Sequence, residues 1–387
     1  MSVFAAASTS LQQPLHPPQE LYVLPVARGL EAEVAVVGAG VMGLATARAL
    51  ARGGHDVVLL EQFRFGHARG SSHGSSRVFR LAYYEPEWVR FAREALSLWR
   101  ELEVETGGRL LELPGSLDLG GDAEALGACL DECGAAHEVL DAAEVERRFG
   151  LSAESGPAVL QPDGGVVYAE RALEALLASA RVHGARLVEE TKAVALEQDG
   201  EAVRVLTAGG VVIARAAVVT AGAWARELLA TAGVELPVAA TRETVAYFRL
   251  GVDGVVPSVI DWATPDPGEW GLPRSGSQLY ALHAGPGLLK GGLNQSGRET
   301  DPDEEGEPDP TVVRCVADWA ARVFPLEHNE PLSAEACLYT STADESFVLE
   351  RHGRLVVGSP CSGHGFKFAP AVGARLAALA VDALAEA

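Results

Sequence analysis

The sequence predicts an α/β fold made of two interleaved units, and three observations carry that prediction. Near the front a short apolar run, Glu33–Val37, leads through Gly38-Ala39-Gly40-Val41-Met42-Gly43 into a helical stretch and then a second apolar run ending at Glu61. In the middle, from Val194 to Thr220, apolar residues alternate as in half-buried strands. At the end the chain closes on an Ala-rich helical stretch from about Pro370.

The front segment reads as strand, helix (Leu44–Arg52, closed by Gly53-Gly54) and strand (Asp56–Leu60), a βαβ unit of about 30 residues. In a chain with 42 glycines a G-x-G-x-x-G spacing means little alone. Here it follows a strand, opens a helix and has an acidic residue at the end of the next strand. Gly38 permits the tight turn, Gly40 lets the backbone approach a pyrophosphate, and Gly43 lets helix and strand pack closely. The pyrophosphate would sit on the helix N-terminus, where free N–H groups favour negative charge. Glu61 can accept hydrogen bonds from ribose hydroxyls. The unit predicts a bound dinucleotide and leaves FAD and NAD equally open.

Pro86 opens a long helix with Trp88, Ala92, Ala95, Trp99 and Leu102 on one face and Gly107-Gly108 as its stop, so both Trp residues read as core. Asp141-Ala-Ala-Glu144 is a capping box before a short helix, and Glu170–Val182 is a further helix. Gly209-Gly210 marks a hairpin turn. Phe347–Glu350 and Leu355–Val357 pair as strands turning at His352-Gly353. There is no internal repeat. The expected division is a nucleotide domain from residues 31–85, 150–230 and 335–387, and a second domain from 86–149 and 231–334. Residues 1–30, rich in Pro, Gln and Ser, read as a mobile extension.

Composition narrows the function. The 387 residues are 48% hydrophobic, ample for two cores. No run approaches the roughly 18 apolar residues of a membrane helix. The first 27 residues lack Lys and Arg, unlike a secretory or transit leader, so a cytoplasmic location is expected. The formal charge of −22 repels nucleic acid and anionic membranes. It would also repel an anionic substrate, so a carboxylate ligand would need a local cluster of cations. Cys129, Cys133, Cys315, Cys337 and Cys361 have neither metal-ligand spacing nor a disulfide framework, and no metal is expected. Of 31 Lys plus Arg, only Lys192, Lys290 and Lys367 are lysine.

Four further segments carry a resemblance. Arg69-Gly-Ser-Ser72-His73-Gly-Ser-Ser-Arg77-Val-Phe-Arg80 follows the nucleotide unit, and Thr220-Ala-Gly-Ala-Trp224 lies mid-chain. Late in the chain come Cys337-Leu-Tyr339-Thr340 and Ser362-Gly363-His364-Gly365-Phe366-Lys367-Phe368. From about residue 33 to the C-terminus this set resembles the monomeric sarcosine oxidase family of flavoenzymes, relatives of N-methyltryptophan oxidase and pipecolate oxidase.

The resemblance implies a Rossmann-type FAD-binding domain interleaved with a substrate domain on a mixed or antiparallel sheet. It implies FAD joined through its 8α-methyl to Cys337, with Cys361 the rival thiol. It implies cofactor contacts from Arg69, Ser72, Arg77, Gly363, Gly365 and Lys367. Arg80 and Lys367 match the family's carboxylate-binding pair, and Arg is suited to hold a carboxylate with two parallel donors. Lys290 matches the lysine set by the flavin for reaction with oxygen. His73 and Arg77 match positions near the flavin ring, and Tyr83, Tyr280 and Tyr339 match aromatic positions at the substrate cavity. One departure stands out: Asn294 occupies the position of a His four residues after the oxygen-reactive lysine, and cannot titrate near neutrality.

The expected activity is oxidation of a small secondary amino acid, N-methyl or cyclic, to an imine, with oxygen reduced to hydrogen peroxide by a monomer. A dehydrogenase of the same fold using another acceptor, a larger N-methyl amino acid, pipecolate or proline as substrate, and a nucleotide-binding protein without turnover are the alternatives.

Overall fold

A computed structural model describes residues 29–154, 156–263 and 278–385. All but two residues of the expected N-terminal extension lie outside the described residues. The first strand begins at Leu30, three residues earlier than the apolar run suggests.

Val34–Val37 are buried, and the strand is flanked on both sides by parallel partners. The order Arg186–Val188, Val57–Leu60, Leu30–Val37, Gly210–Val219, Leu355–Ser359 is parallel throughout. These strands read as near-continuous apolar runs because both sheet faces are covered. Antiparallel strands complete this eight-stranded sheet: Val203–Thr207 on Gly210–Val219, Ala193–Gln198 on Val203–Thr207, and Val348–His352 on Leu355–Ser359. The two hairpins turn one residue away from the expected pairs, at Ala208-Gly209 and at Gly353-Arg354, where Gly353 has φ +63°.

The helix Val41–Arg52 packs under the sheet against the C-terminal helix Ala369–Ala385. A Cβ on Gly373 would lie 2.6 Å from the Ala45 carbonyl carbon, so the glycine sets that close approach. The C-terminal helix is long and apolar enough to cross a membrane by composition, but it buries Leu376, Ala380 and Leu384 in this core.

A second sheet of nine strands is antiparallel except where Ser258–Asp261 runs parallel to Ser116–Leu119. The amphipathic helix Pro310–Val323 covers it with Val312, Val316, Trp319 and Ala320. Three short strands, Ser76–Phe79, Gly165–Tyr168 and Leu111–Glu112, form a third sheet.

The pairing departs from the expected division in three places. Ser333–Ser341, which carries Cys337 and Tyr339, pairs along Ala239–Tyr247 in the nine-stranded sheet instead of joining the parallel one. Ala158–Gln161 also lies in the nine-stranded sheet. The helix Pro86–Thr106 packs Val89, Trp99 and Leu102 into the nucleotide-side core, not the second one. Pairing between strands almost a hundred residues apart leaves no local trace in sequence, whereas the helix end does. Gly107 takes φ +69° and returns its N–H to the Glu103 carbonyl.

Candidate active site

At the end of the first strand Gly38 takes φ +98°, and a Cβ there would lie 2.7 Å from the Thr220 carbonyl oxygen. Gly43 admits no side chain at all, since its Cβ would lie 1.8 Å from the Gly38 oxygen. Gly40 caps the following helix, and Ser72 Oγ beside it accepts the Val41 N–H at 3.1 Å. Glu61, buried at the end of the second strand, accepts N–H groups from Ala39 at 2.8 Å and Phe63 at 3.0 Å.

From this turn a cavity of about 1000 Å³ extends along both sheets to the segment Gly363–Lys367. Its size, the glycine cradle and the carboxylate at the strand end fit a dinucleotide such as FAD. Of the expected site residues all line it except Gly43, which packs behind the turn, Arg69, and Tyr83, which is buried behind Lys367. Arg69 makes its contacts outside the cavity. Its guanidinium donates to Glu305 at 3.1 Å and to the Asp303 carbonyl at 2.9 Å, and lies 5.6 Å from the Phe63 ring.

Midway along the cavity stand Arg77, His73, Lys290 and Cys337. Arg77 donates to the carbonyls of Ser71, His73 and Ser76 at 2.8, 2.6 and 2.9 Å, all of them neutral acceptors. Lys290 is buried on the strand Leu288–Leu293 and donates to the Ser76 carbonyl at 3.4 Å. Burial, then the charge of Arg77, pushes its ammonium down to about 7. Burial and Arg77 also lower His73, whose Nδ1 lies 2.8 Å from the Gly70 carbonyl. Burial raises the Cys337 thiol, while Arg77 and Lys290 pull the other way. Cys361 also lines the cavity, but its sulfur accepts the Thr340 N–H at 3.4 Å.

The far end is cationic and aromatic. Lys367 is buried and donates to the Tyr83 hydroxyl at 3.0 Å and the His364 carbonyl at 2.7 Å. Burial, then Arg80, holds it well below the usual lysine range. Arg80 donates to the Ala82 carbonyl and stands 3.4 Å from Asp118 and 4.3 Å from the Tyr83 ring. His364 is driven down to about 3 by burial and Lys367, so it stays neutral. Gly363, at φ +75°, lets the chain pass Tyr339 and Asn294: a Cβ there would lie 2.6 Å from the Tyr339 ring and 2.7 Å from Asn294 Oδ1. The hydroxyls of Tyr339 and Tyr280 are hydrogen-bonded, and burial raises both phenols.

Sequence reasoning gave no role to Asp118 or His364. Asp118 had a signal: in Ser-Leu-Asp-Leu the polar residues fall on one face of a strand, which places a carboxylate toward the site. Its Oδ1 accepts the Trp262 indole N–H at 2.9 Å, and Oδ2 has no hydrogen-bond partner.

The family described as FAD dependent oxidoreductase matches residues 33–379. The chain belongs to that family. It is 35% identical to human peroxisomal sarcosine oxidase over 353 residues, covering 87% of this chain and 89% of that protein. With the monomeric sarcosine oxidase of Arthrobacter sp. it shares 31% identity, covering 92% and 93% of the two chains. Among solved structures, that of NikD, an unusual amino acid oxidase essential for nikkomycin biosynthesis, aligns with a TM-score of 0.81 at 28% identity. That alignment covers 91% of this chain and 94% of NikD. The protein is thus an FAD-dependent oxidoreductase of sarcosine oxidase type.

Proposed function

We propose that this flavoenzyme oxidises a small secondary amino acid at a carbon next to nitrogen, carries its FAD covalently on Cys337, and returns electrons to oxygen as peroxide. What supports this most is one juxtaposition: the dinucleotide cradle shares a cavity with two basic side chains, half-buried Arg80 and buried Lys367, in a chain of net charge −22. Arg80 already has Asp118 behind it, whereas a buried Lys367 ammonium is costly unless an anion meets it, and a substrate carboxylate is that anion.

When bound, FAD supplies a two-electron acceptor for the C–H bond beside the amine. The protein's own part is orientation and electrostatics. Arg80 and Lys367 fix the carboxylate end, and its approach returns a proton to Lys367. Tyr339, Tyr280 and Asn294 bound the space beyond it with neutral donors and acceptors. Neutral His364 favours an amine in its uncharged, reactive form. Arg77 and Lys290 supply positive charge at mid-cavity, where it stabilises both a Cys337 thiolate and the reduction of oxygen. Sarcosine is the substrate named for the relatives above, and Asn294 leaves room for a larger or cyclic amino acid. Relatives called monomeric support a single-chain enzyme.

Anaerobic mixing with sarcosine, N-methyl amino acids, proline and pipecolate tests the reading. Bleaching of the flavin band by at least one of them, with peroxide released on admitting air, is expected. No bleaching by any secondary amino acid would overturn it, and bleaching without peroxide would make the enzyme a dehydrogenase.

A further inference from the structure

Beside Lys290 stands a tyrosine–carboxylate pair to which the proposed function gives no part. Tyr247 faces Lys290 directly across the antiparallel ladder, and Lys290 Nζ lies 5.8 Å from the centre of its ring. The Tyr247 hydroxyl donates to Glu335 Oε2 at 2.9 Å. Glu335 is exposed at the cavity wall, two residues before Cys337 on the strand Ser333–Ser341. Gly74 completes the group: a Cβ there would lie 3.8 Å from Lys290 Nζ and 3.9 Å from the Tyr247 hydroxyl, so no side chain comes between them.

We propose that Glu335 and Tyr247 are positioning residues that keep Lys290 in its ammonium form at mid-cavity. This rests on reading Lys290 as the lysine that serves the oxygen reaction, which needs the charged form.

The balance of charges around Lys290 supports it. Arg77, on the strand Ser76–Phe79, and His73, in the preceding loop, oppose an ammonium. Cys337 and Glu335, on Ser333–Ser341, and Glu170, on the helix Ala169–Val182, favour it, Glu335 more than Glu170. A Cys337 bonded through sulfur has no charge to give, which leaves Glu335 as the principal counterweight to Arg77. Tyr247 fixes its carboxylate on the Lys290 side, where a free, solvated Glu would turn away and be screened. Tyr247 also offers its ring face to the ammonium.

Lysine NMR on the flavin-loaded enzyme tests this independently of turnover. With three lysines in the chain, a protein labelled at lysine Cε gives three signals, and Lys290→Met identifies one. In Glu335→Gln the Lys290 titration midpoint should fall by roughly half a pH unit or more, the size of one partly screened charge at this range. Tyr247→Phe should move it the same way, and Glu335→Asp should restore part of the shift. An unmoved midpoint in Glu335→Gln overturns the proposal. Stopped-flow reoxidation of the same variants separates the two readings. Slowing by severalfold alongside the NMR shift supports both. A shifted midpoint with unchanged reoxidation leaves the pair's effect standing and removes the oxygen role of Lys290.

Discussion

Arg80 stands 3.4 Å from Asp118, whose side chain is 1% exposed. The cation assigned to the substrate carboxylate therefore already has an anion behind it. Burial raises the Asp118 carboxyl, and Arg80 with the Trp262 N–H opposes the rise. An ion pair of this kind trades affinity for order, because Asp118 offsets part of the field that draws a ligand carboxylate. Asp118→Asn keeps the shape and removes the offset. Carboxylate inhibitors should bind about threefold to tenfold tighter, roughly 0.7–1.4 kcal/mol, measured by flavin difference spectra. Weaker binding would mean that Asp118 matters chiefly for aiming Arg80.

Removing either clamp cation has the opposite sign. Arg80→Ala and Lys367→Ala should each weaken carboxylate binding by on the order of 2–5 kcal/mol, the usual loss for one partner of a buried charge-assisted pair. A pH dependence follows from Lys367, which burial and Arg80 hold well below its ordinary value. A bound carboxylate favours its charged form, so binding takes up a proton. Affinity for carboxylates should be full at low pH and fall as pH rises through the Lys367 pKa of the complex. A titration series of inhibitor dissociation constants checks this, and a flat profile in wild type would remove Lys367 from the clamp.

Covalent attachment predicts that acid-precipitated protein stays yellow. Cys337→Ser should release the flavin to the supernatant, and Cys361→Ser should not. Both thiols line the cavity, and Cys337 lies in the field of Arg77 and Lys290, two cations that favour a thiolate. Colour retained by Cys337→Ser and lost from Cys361→Ser would reverse the assignment.

Lys290 also leaves a mark on stability. Its folded-state pKa of about 7 compares with about 10.4 in an unfolded chain. Between these values the unfolded chain binds the proton more tightly, so this group's contribution to stability rises with pH across that window. Below pH 7 both states are protonated and the full cost of burying the ammonium stands, several kcal/mol at about 1.36 kcal/mol per pH unit. Lys290→Met removes that cost. The variant should melt at a higher temperature than wild type near pH 6, by a margin that shrinks toward pH 10. A margin independent of pH would mean that Lys290 titrates normally.

The nucleotide turn was legible in the sequence because it is local and each glycine answers a separate steric demand. Gly43 shows this best, with no space for a Cβ. The long helix and its stop were legible for the same reason, from Pro86 and Gly107. The sheet that holds Cys337 was not: its partners lie at Ala239–Tyr247, and nothing in Cys-Leu-Tyr-Thr marks which sheet it joins. Arg69 adjoins residues that line the cavity, while its partners in the structure lie more than 230 residues later, a pairing that no local pattern shows. Tyr247 and Glu335, 88 residues apart, become a pair only once the ladder sets them side by side.

The last prediction separates the two half-reactions through Lys290. Reduction of the flavin by substrate depends on the amine donor, which the clamp residues orient and which Lys290 affects only through the general field. Reduction of oxygen begins by placing charge on a neutral molecule next to an already reduced, anionic cofactor. That step gains from a fixed positive charge where water is scarce, since the same charge acts far more strongly there than in bulk water. Lys290 is buried, donates to the Ser76 carbonyl and lines the cavity with Arg77 and Cys337. Lys290→Met keeps much of the side-chain volume and removes the charge. Reoxidation should slow by about a hundredfold or more, since each tenfold needs only about 1.36 kcal/mol, and anaerobic reduction should stay within about tenfold of wild type. Lys290→Arg should recover little, because a planar guanidinium does not fit a space shaped for an ammonium. Stopped-flow traces of both half-reactions decide it. Equal slowing of the two would mean that Lys290 holds the site together, and no slowing of either would mean that oxygen reacts elsewhere in the cavity.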